Sequence, residues 1–257
     1  VKGIGMQLVN PLSMTTAGGT ITGSSTSTEA IGIYIESGAS TLQTSKNVTL
    51  MGDKSVGVYI NDTLGSMNYT NTGTITIGNA LLQSNPSVGI YSNAQSMTEQ
   101  GNITVGDNAI GLYSSKIGST VKLDTSGTIS VGVNGTGIYK LGGILQLDGT
   151  LKALGSDSVG AYVEGGTTVT NSSTSLVIGS NAYGIVGVAG TGTTSITNNS
   201  SNVTIGDNSV FIYSSDTGGT ITNNANLTST SNGIYGLYGS GTIVNNNSID
   251  FSTGIGN

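Results

Sequence analysis

The side chains able to do chemistry in this 257-residue chain are thirteen carboxylates, seven lysines and eleven tyrosines, beside many hydroxyls and carboxamides. Histidine, cysteine, tryptophan and arginine are absent. No Ser-His-Asp triad, Cys-His dyad, zinc cluster or haem ligand can be assembled from such a set, so no cofactor or metal is expected. Two kinds of site remain. Paired carboxylates could act as acid and base on a glycosidic bond, and Glu36 with Asp62 or Asp124 with Asp148 stand where neighbouring repeats would bring them together. Each sits among turn residues, however, where solvated surface charge is the ordinary state of Asp and Glu, so no catalytic residue is assigned. Tyrosines are the other candidates, since aromatic rings can stack on sugars or anchor a protein partner.

The elements that must position these residues are set by a repeat. A unit apolar-x-apolar-Gly, three residues, apolar-Gly-apolar-Tyr recurs, as in Ile103-Thr104-Val105-Gly106 followed by Ile110-Gly111-Leu112-Tyr113. Its second glycines fall at 32, 57, 89, 111, 137, 160, 184, 233 and 254, with Phe211 in the slot between 184 and 233. Successive gaps run from 21 to 32 residues, whereas from 52 to 57, 106 to 111, 132 to 137, 155 to 160, 179 to 184 and 206 to 211 the two slots are always five apart. A fixed short turn beside a variable arc is the mark of a solenoid. Every unit alternates with period two, as strands with one buried face do. A third apolar patch, such as Thr20-Ile21-Thr22, Thr120-Val121-Lys122-Leu123 or Thr220-Ile221-Thr222, brings the expectation to three short strands per coil. The predicted fold is therefore an all-β parallel β-helix (β-solenoid) of about ten coils of roughly 24 residues, stacked at ~4.8 Å per rung as one domain over residues 1–257. Irregular or partial coils are expected at 1–27 and 240–257, where the glycine pattern lapses.

Alternation puts Val56, Val58 and Ile60 inside, with Gly57 and Tyr59 outside. The same reasoning assembles Tyr34, Tyr59, Tyr91, Tyr113, Tyr139, Tyr162, Tyr213 and Tyr235 into one external column, interrupted by Val186; Tyr238 offers an alternative register near the end. Such a column either stabilises neighbouring rungs by stacking or binds a ligand. One coil breaks the five-residue rule, because eleven steps separate Gly78 from Gly89. Insertions in a solenoid project as loops, often on the binding face, which makes Leu81, Leu82, Gln83 and Asn85 contact candidates unless the leucines fold back over the coil. The Gly-Asp pairs at 52–53, 106–107 and 206–207 read as turn starts, and the nonapeptide pattern of calcium-binding repeats is missing. Asn clusters at 198–199 and 245–247 suit ladders between coils.

Composition narrows the function. Charged residues are only 8% and the net charge is −6, which together with the absence of arginine argues against nucleic-acid binding. No apolar run approaches the ~20 residues of a membrane helix, so no membrane contact is expected of this segment. The stretch Gly101-Asn102-Ile103-Thr104-Val105-Gly106-Asp107-Asn108-Ala109-Ile110-Gly111-Leu112-Tyr113 resembles the passenger domains of single-chain (type V) autotransporter adhesins of the fusobacterial outer-membrane type, and the likeness in repeat style extends over nearly the whole chain. Asp207-Asn208-Ser209-Val210 is also similar to trimeric autotransporter heads, whose coils are shorter. The first resemblance implies a right-handed helix, displayed at the bacterial cell surface after export through the outer membrane, in a parent anchored by a C-terminal β-barrel. It implies adhesion to host cells or other bacteria through a surface glycan or protein receptor. The first residues, Val-Lys-Gly-Ile-Gly, suggest a piece of a longer protein. A monomer is expected, with end-to-end association through exposed terminal strand edges. A β-helix polysaccharide lyase or hydrolase and a stalk with no ligand are the alternatives.

Overall fold

Runs of alternating apolar and polar residues bury one face as strands. In the computed structural model, which describes residues 3–11, 13–36, 41–252 and 254–256, every regular element is a strand. A first face is built from Ile4–Val9, Ile31–Glu36, Val56–Asn61, Val88–Ser92, Ile110–Ser114, the opening halves of Thr136–Leu147 and Val159–Asn171, then Tyr183–Val188, Val210–Ser214 and Tyr235–Gly239. Each pairs in parallel with the next, giving ten coils of a parallel β-solenoid. The second face runs from Met14–Thr16 to Thr242–Asn245, and the third from Thr20–Gly23 to Val203–Ile205. Thr136–Leu147 and Val159–Asn171 run round the corner between the first two faces and join them into one 18-stranded sheet. Thr20–Gly23 pairs with Asn47–Leu50 and so belongs to the third face, not with Thr120–Leu123 as its composition suggested. The second-face strand of that coil is Met14–Thr16, which pairs with Thr41–Thr44.

Stacked aliphatics fill the interior. Ile33, Val58, Ile90, Leu112, Ile138, Ala161, Ile185 and Ile212 lie in register on the first face, opposite Val48, Ile75, Ile103, Ile129, Leu151 and Leu176 on the third. All are fully enclosed, and each larger side chain contributes about 1.5–3 kcal/mol of burial. Strict alternation fails at the glycine column. Gly57 faces inward with Val58, while Val56 lies at the outer surface, the reverse of the expected placement. The reason is close approach. A Cβ on Gly57 would stand 2.5 Å from the carbonyl oxygen of Gly89 in the next coil and 2.7 Å from Ile75 Cγ2. The same contact recurs at Gly89, Gly111, Gly137 and Gly160, so glycine there lets neighbouring coils close on one another.

One recurring set of positive φ angles falls elsewhere, in the turn leading into the first face. Asn108, Asn134, Asn181 and Asn208, with Glu29, Lys54 and Asp157, all adopt φ between 53° and 57°. Asn and Asp tolerate this left-handed conformation better than most residues, which explains their recurrence two residues after Gly106, Gly132, Gly155, Gly179 and Gly206. Gly233 (φ 62°) occupies this slot in the last coil. Register confirms the assignment, because Val210 pairs with Tyr235 and Ile212 with Leu237, so Gly236 rather than Gly233 follows Phe211 in the glycine column. Phe211 itself points inward and is fully buried, and Phe251 packs against the same core below it.

Polar residues also enter the interior, paired coil to coil. Asn171, Asn198, Asn223 and Asn245 form a ladder in which each Nδ2 donates to the next Oδ1 at 2.8 Å. An outer ladder links Asn246 to Asn224 and Asn224 to Asn199. Further up the buried column, Glu99 accepts from Asn71 Nδ2 and the Gly101 amide, and burial pushes its carboxyl up to about 8. Lys140 is fully enclosed, with the carbonyls of Lys116, Leu141 and Gly142 and Ser119 Oγ gathered as acceptors around its three N–H donors; burial lowers its ammonium to about 8.

Candidate binding face

Two outward columns run along the first face. One consists of the residues just before the glycine column: Ile31, Val56, Val88, Ile110, Thr136, Val159, Tyr183, Val210 and Tyr235. The other is the tyrosine column, which the structure assembles from Tyr34, Tyr59, Tyr91, Tyr113, Tyr139 and Tyr162, interrupts at Val186 and resumes at Tyr213 and Tyr238. Tyr235 is therefore corrected out of the column: its register places it beside Val210, because the turn slot is taken by Gly233.

Within the column the rings stack on one another. Centroids are 5.6, 4.7, 5.3, 5.0 and 4.8 Å apart from Tyr34 to Tyr162, with planes parallel in the first three pairs and tilted in the last two. Both faces of each inner ring are covered by neighbours, so the ladder presents ring edges and hydroxyls. Partial burial raises the phenols of Tyr59, Tyr113 and Tyr162, and burial with a hydrogen bond to Glu164 raises Tyr139, so the hydroxyls stay protonated donors at neutral pH. Removing the mutual stacking should be felt as stability. The double variant Tyr91→Ala/Tyr113→Ala is expected to lose about 2 kcal/mol of unfolding free energy in chemical denaturation, the scale of two lost aromatic contacts and their burial.

The insertion after Gly78 projects. Leu81 and Leu82 are 78% and 61% exposed, so the leucines do not fold back over the coil. Its base is fixed: Asn79 and Asp107 bond each other's groups, Ala80 N donates to Asp107 O, and Leu81 N donates to Asp53 Oδ1. Asn85 N closes a turn onto Leu82 O, and Gln83 Nε2 reaches Asn134 O two coils along the axis. The loop leans over a cleft of about 280 Å³ lined by Gln83, Pro86, Asn108, Asn134, Tyr139 and Tyr162 among others. Of the loop candidates Gln83 alone lines this cleft, where it meets Tyr139 and Tyr162 of the column; Leu81, Leu82 and Asn85, like Tyr34, Tyr59, Tyr91, Tyr113, Tyr213 and Tyr235, lie outside it.

A second cleft of about 270 Å³ lies further along the same face, between Tyr183, Val210, Tyr213, Tyr235 and Tyr238. Sequence reading missed Tyr183 and assigned Tyr235 to the wrong column. The available signal was a tyrosine directly before the glycine slot, where the other coils carry Val, Ile or Thr.

Three of the four carboxylates considered for acid–base work have other partners. Asp62 is buried and accepts from the amides of Gly65 and Met67. Asp124 and Asp148 both pair with Lys122, at 2.9 and 3.5 Å, and the lysine holds the Asp124 carboxyl below its ordinary range. Asp53, Asp107 and Asp207 each accept a main-chain amide from a following coil, at Leu81, Val133 and Asn232. Comparison with protein-family models, curated proteins and solved structures gives no match for this chain.

Proposed function

We propose that this chain is an adhesive segment of a bacterial autotransporter passenger, displayed at the cell surface, and that it supports attachment to host cells or other bacteria through a glycan or protein receptor. The observation that carries the reading is the anchored loop that holds Leu81 and Leu82 in solvent while its Gln83 and Pro86 wall a cleft with Asn108, Asn134, Tyr139 and Tyr162. Apolar side chains on a preorganised loop bind without the cost of ordering it. The reading involves no catalysis by this segment: Lys122 takes up both carboxylates of one candidate pair, and turn amides take up Asp62 of the other.

Attachment of the labelled chain to epithelial cells and to co-resident bacteria tests this. In the variant Leu81→Ser/Leu82→Ser, attachment is expected to fall about tenfold, the scale of an interface anchor, with the unfolding midpoint unchanged because both side chains are already in water. Undiminished attachment by that variant would remove the loop from the adhesive surface.

A further inference from the structure

The tyrosine cleft differs from the tyrosine ladder in what it leaves open. Tyr183, Tyr235 and Tyr238 are 39%, 58% and 55% exposed, whereas the inner ladder rings are sandwiched. Val186 is the cause: it stands where a ring would continue the ladder from Tyr162, so the stack ends and restarts one coil later at Tyr213. Tyr213 and Tyr238 stack at 5.6 Å, and Tyr235 stands edge-on to Tyr238 at 5.9 Å. Tyr183 and Tyr235 flank Val210 in the adjoining column, so rings bound the cleft on both sides of a small apolar floor. Two exposed carboxamides, Asn181 and Asn208, stand two residues before Tyr183 and Val210.

Charge selects among ligands. All seven lysines lie at or before residue 152, and residues 153–257 hold five carboxylates with no basic residue. An anionic ligand would meet repulsion and no counter-charge there. A ring with apolar C–H faces and hydroxyls at its rim suits the surroundings, with aromatic rings and Val210 for its body and phenol hydroxyls for its edge.

We propose that the cleft formed by Tyr183, Val210, Tyr213, Tyr235 and Tyr238 binds a neutral pyranose, one ring of an uncharged surface glycan. The proposal deepens the adhesive reading and rests on it for its biological use, but its chemistry can be tested alone. Saturation-transfer NMR of the whole chain with the methyl pyranosides of glucose, galactose, mannose and N-acetylglucosamine, at millimolar concentration, is expected to show transfer to the ring C–H protons of at least one. Tyr183→Leu/Tyr235→Leu keeps apolar bulk and removes the aromatic faces, and is expected to weaken that binding at least about tenfold. Tyr91→Ala/Tyr113→Ala, in the sandwiched ladder, should leave it unchanged. Circular dichroism checks that each variant remains a β-solenoid.

Transfer to none of the sugars, equal transfer in the leucine variant, or binding of tetramethylammonium in preference to every sugar would overturn the proposal; the last would mark the cleft as a cation cage. Cell attachment separates the two readings. Attachment without sugar transfer sinks the pyranose site and leaves the adhesive reading standing. Sugar transfer without attachment to any cell does the reverse.

Discussion

Replacing Gly89 by Ala is expected to destabilise the chain by about 3 kcal/mol, the upper end of the usual cost of overpacking. The added Cβ would stand 2.3 Å from the Gly111 carbonyl oxygen and 2.8 Å from Ile103 Cγ2. One obstacle is backbone of the next coil and the other is a fully buried side chain, so neither can withdraw without opening the stack. Gly118 supplies the contrast. It has φ 79°, and a methyl group added there would meet no atom within 4 Å, so Gly118→Ala carries only conformational strain, about 1 kcal/mol. Urea titrations of both variants check the ranking. Equal losses would mean that conformation, rather than close approach, places glycine in the inward column.

A second large effect belongs to Glu99. Its carboxyl ordinarily titrates near 4.5, and burial in the folded chain raises it to about 8. Between those values the folded state holds a proton that the unfolded state has released, so stability is highest below the lower value and falls as pH rises through the upper one. The whole decline is on the order of 5 kcal/mol. Lys140, lowered to about 8 from 10.5, acts above that window and with the opposite sign, since there the unfolded chain holds the extra proton. Glu99→Asn should abolish the decline. Asn71 Nδ2 already points at this position, and at Asn198 and Asn223 the same column shows how an Asn rung bonds both its neighbour and the residues two further on. Unfolding free energies at pH 5 and pH 8.5 are expected to differ by several kcal/mol in the natural chain and little in the variant. A flat profile in the natural chain would place the Glu99 carboxylate in contact with water.

The solenoid was legible because its cause is periodic. Alternation as in Thr74-Ile75-Thr76-Ile77, the five-residue turn and the tyrosine after an inward apolar residue recur in most coils, and the structure stacks them in register. What escaped the sequence was set by neighbours. Alternation assigned Gly57 outward because no single strand reveals that the next coil's carbonyl lies against it. Tyr235 and Tyr238 both follow a Gly-apolar pair, and the positive φ of Gly233 and the pairing with Val210–Ser214 decide between them. Glu99 and Lys140 are of types that ordinarily stay at the surface, yet both are enclosed, because the positions they occupy in the repeat face inward. The projecting loop was visible as a count of extra residues after Gly78. Whether its leucines turned in or out depended on the bonds from Asp53, Asp107 and Asn134 that hold the loop away from the core.

Adhesion itself is tested most directly by coating beads with the natural chain and measuring their retention on epithelial and bacterial layers under flow. Retention is expected to saturate, to be displaced by excess free chain, and to fall when Leu81 and Leu82 are changed to Ser. Retention no greater than that of beads coated with an unrelated protein, on every layer, would refute adhesion and leave the segment a spacer.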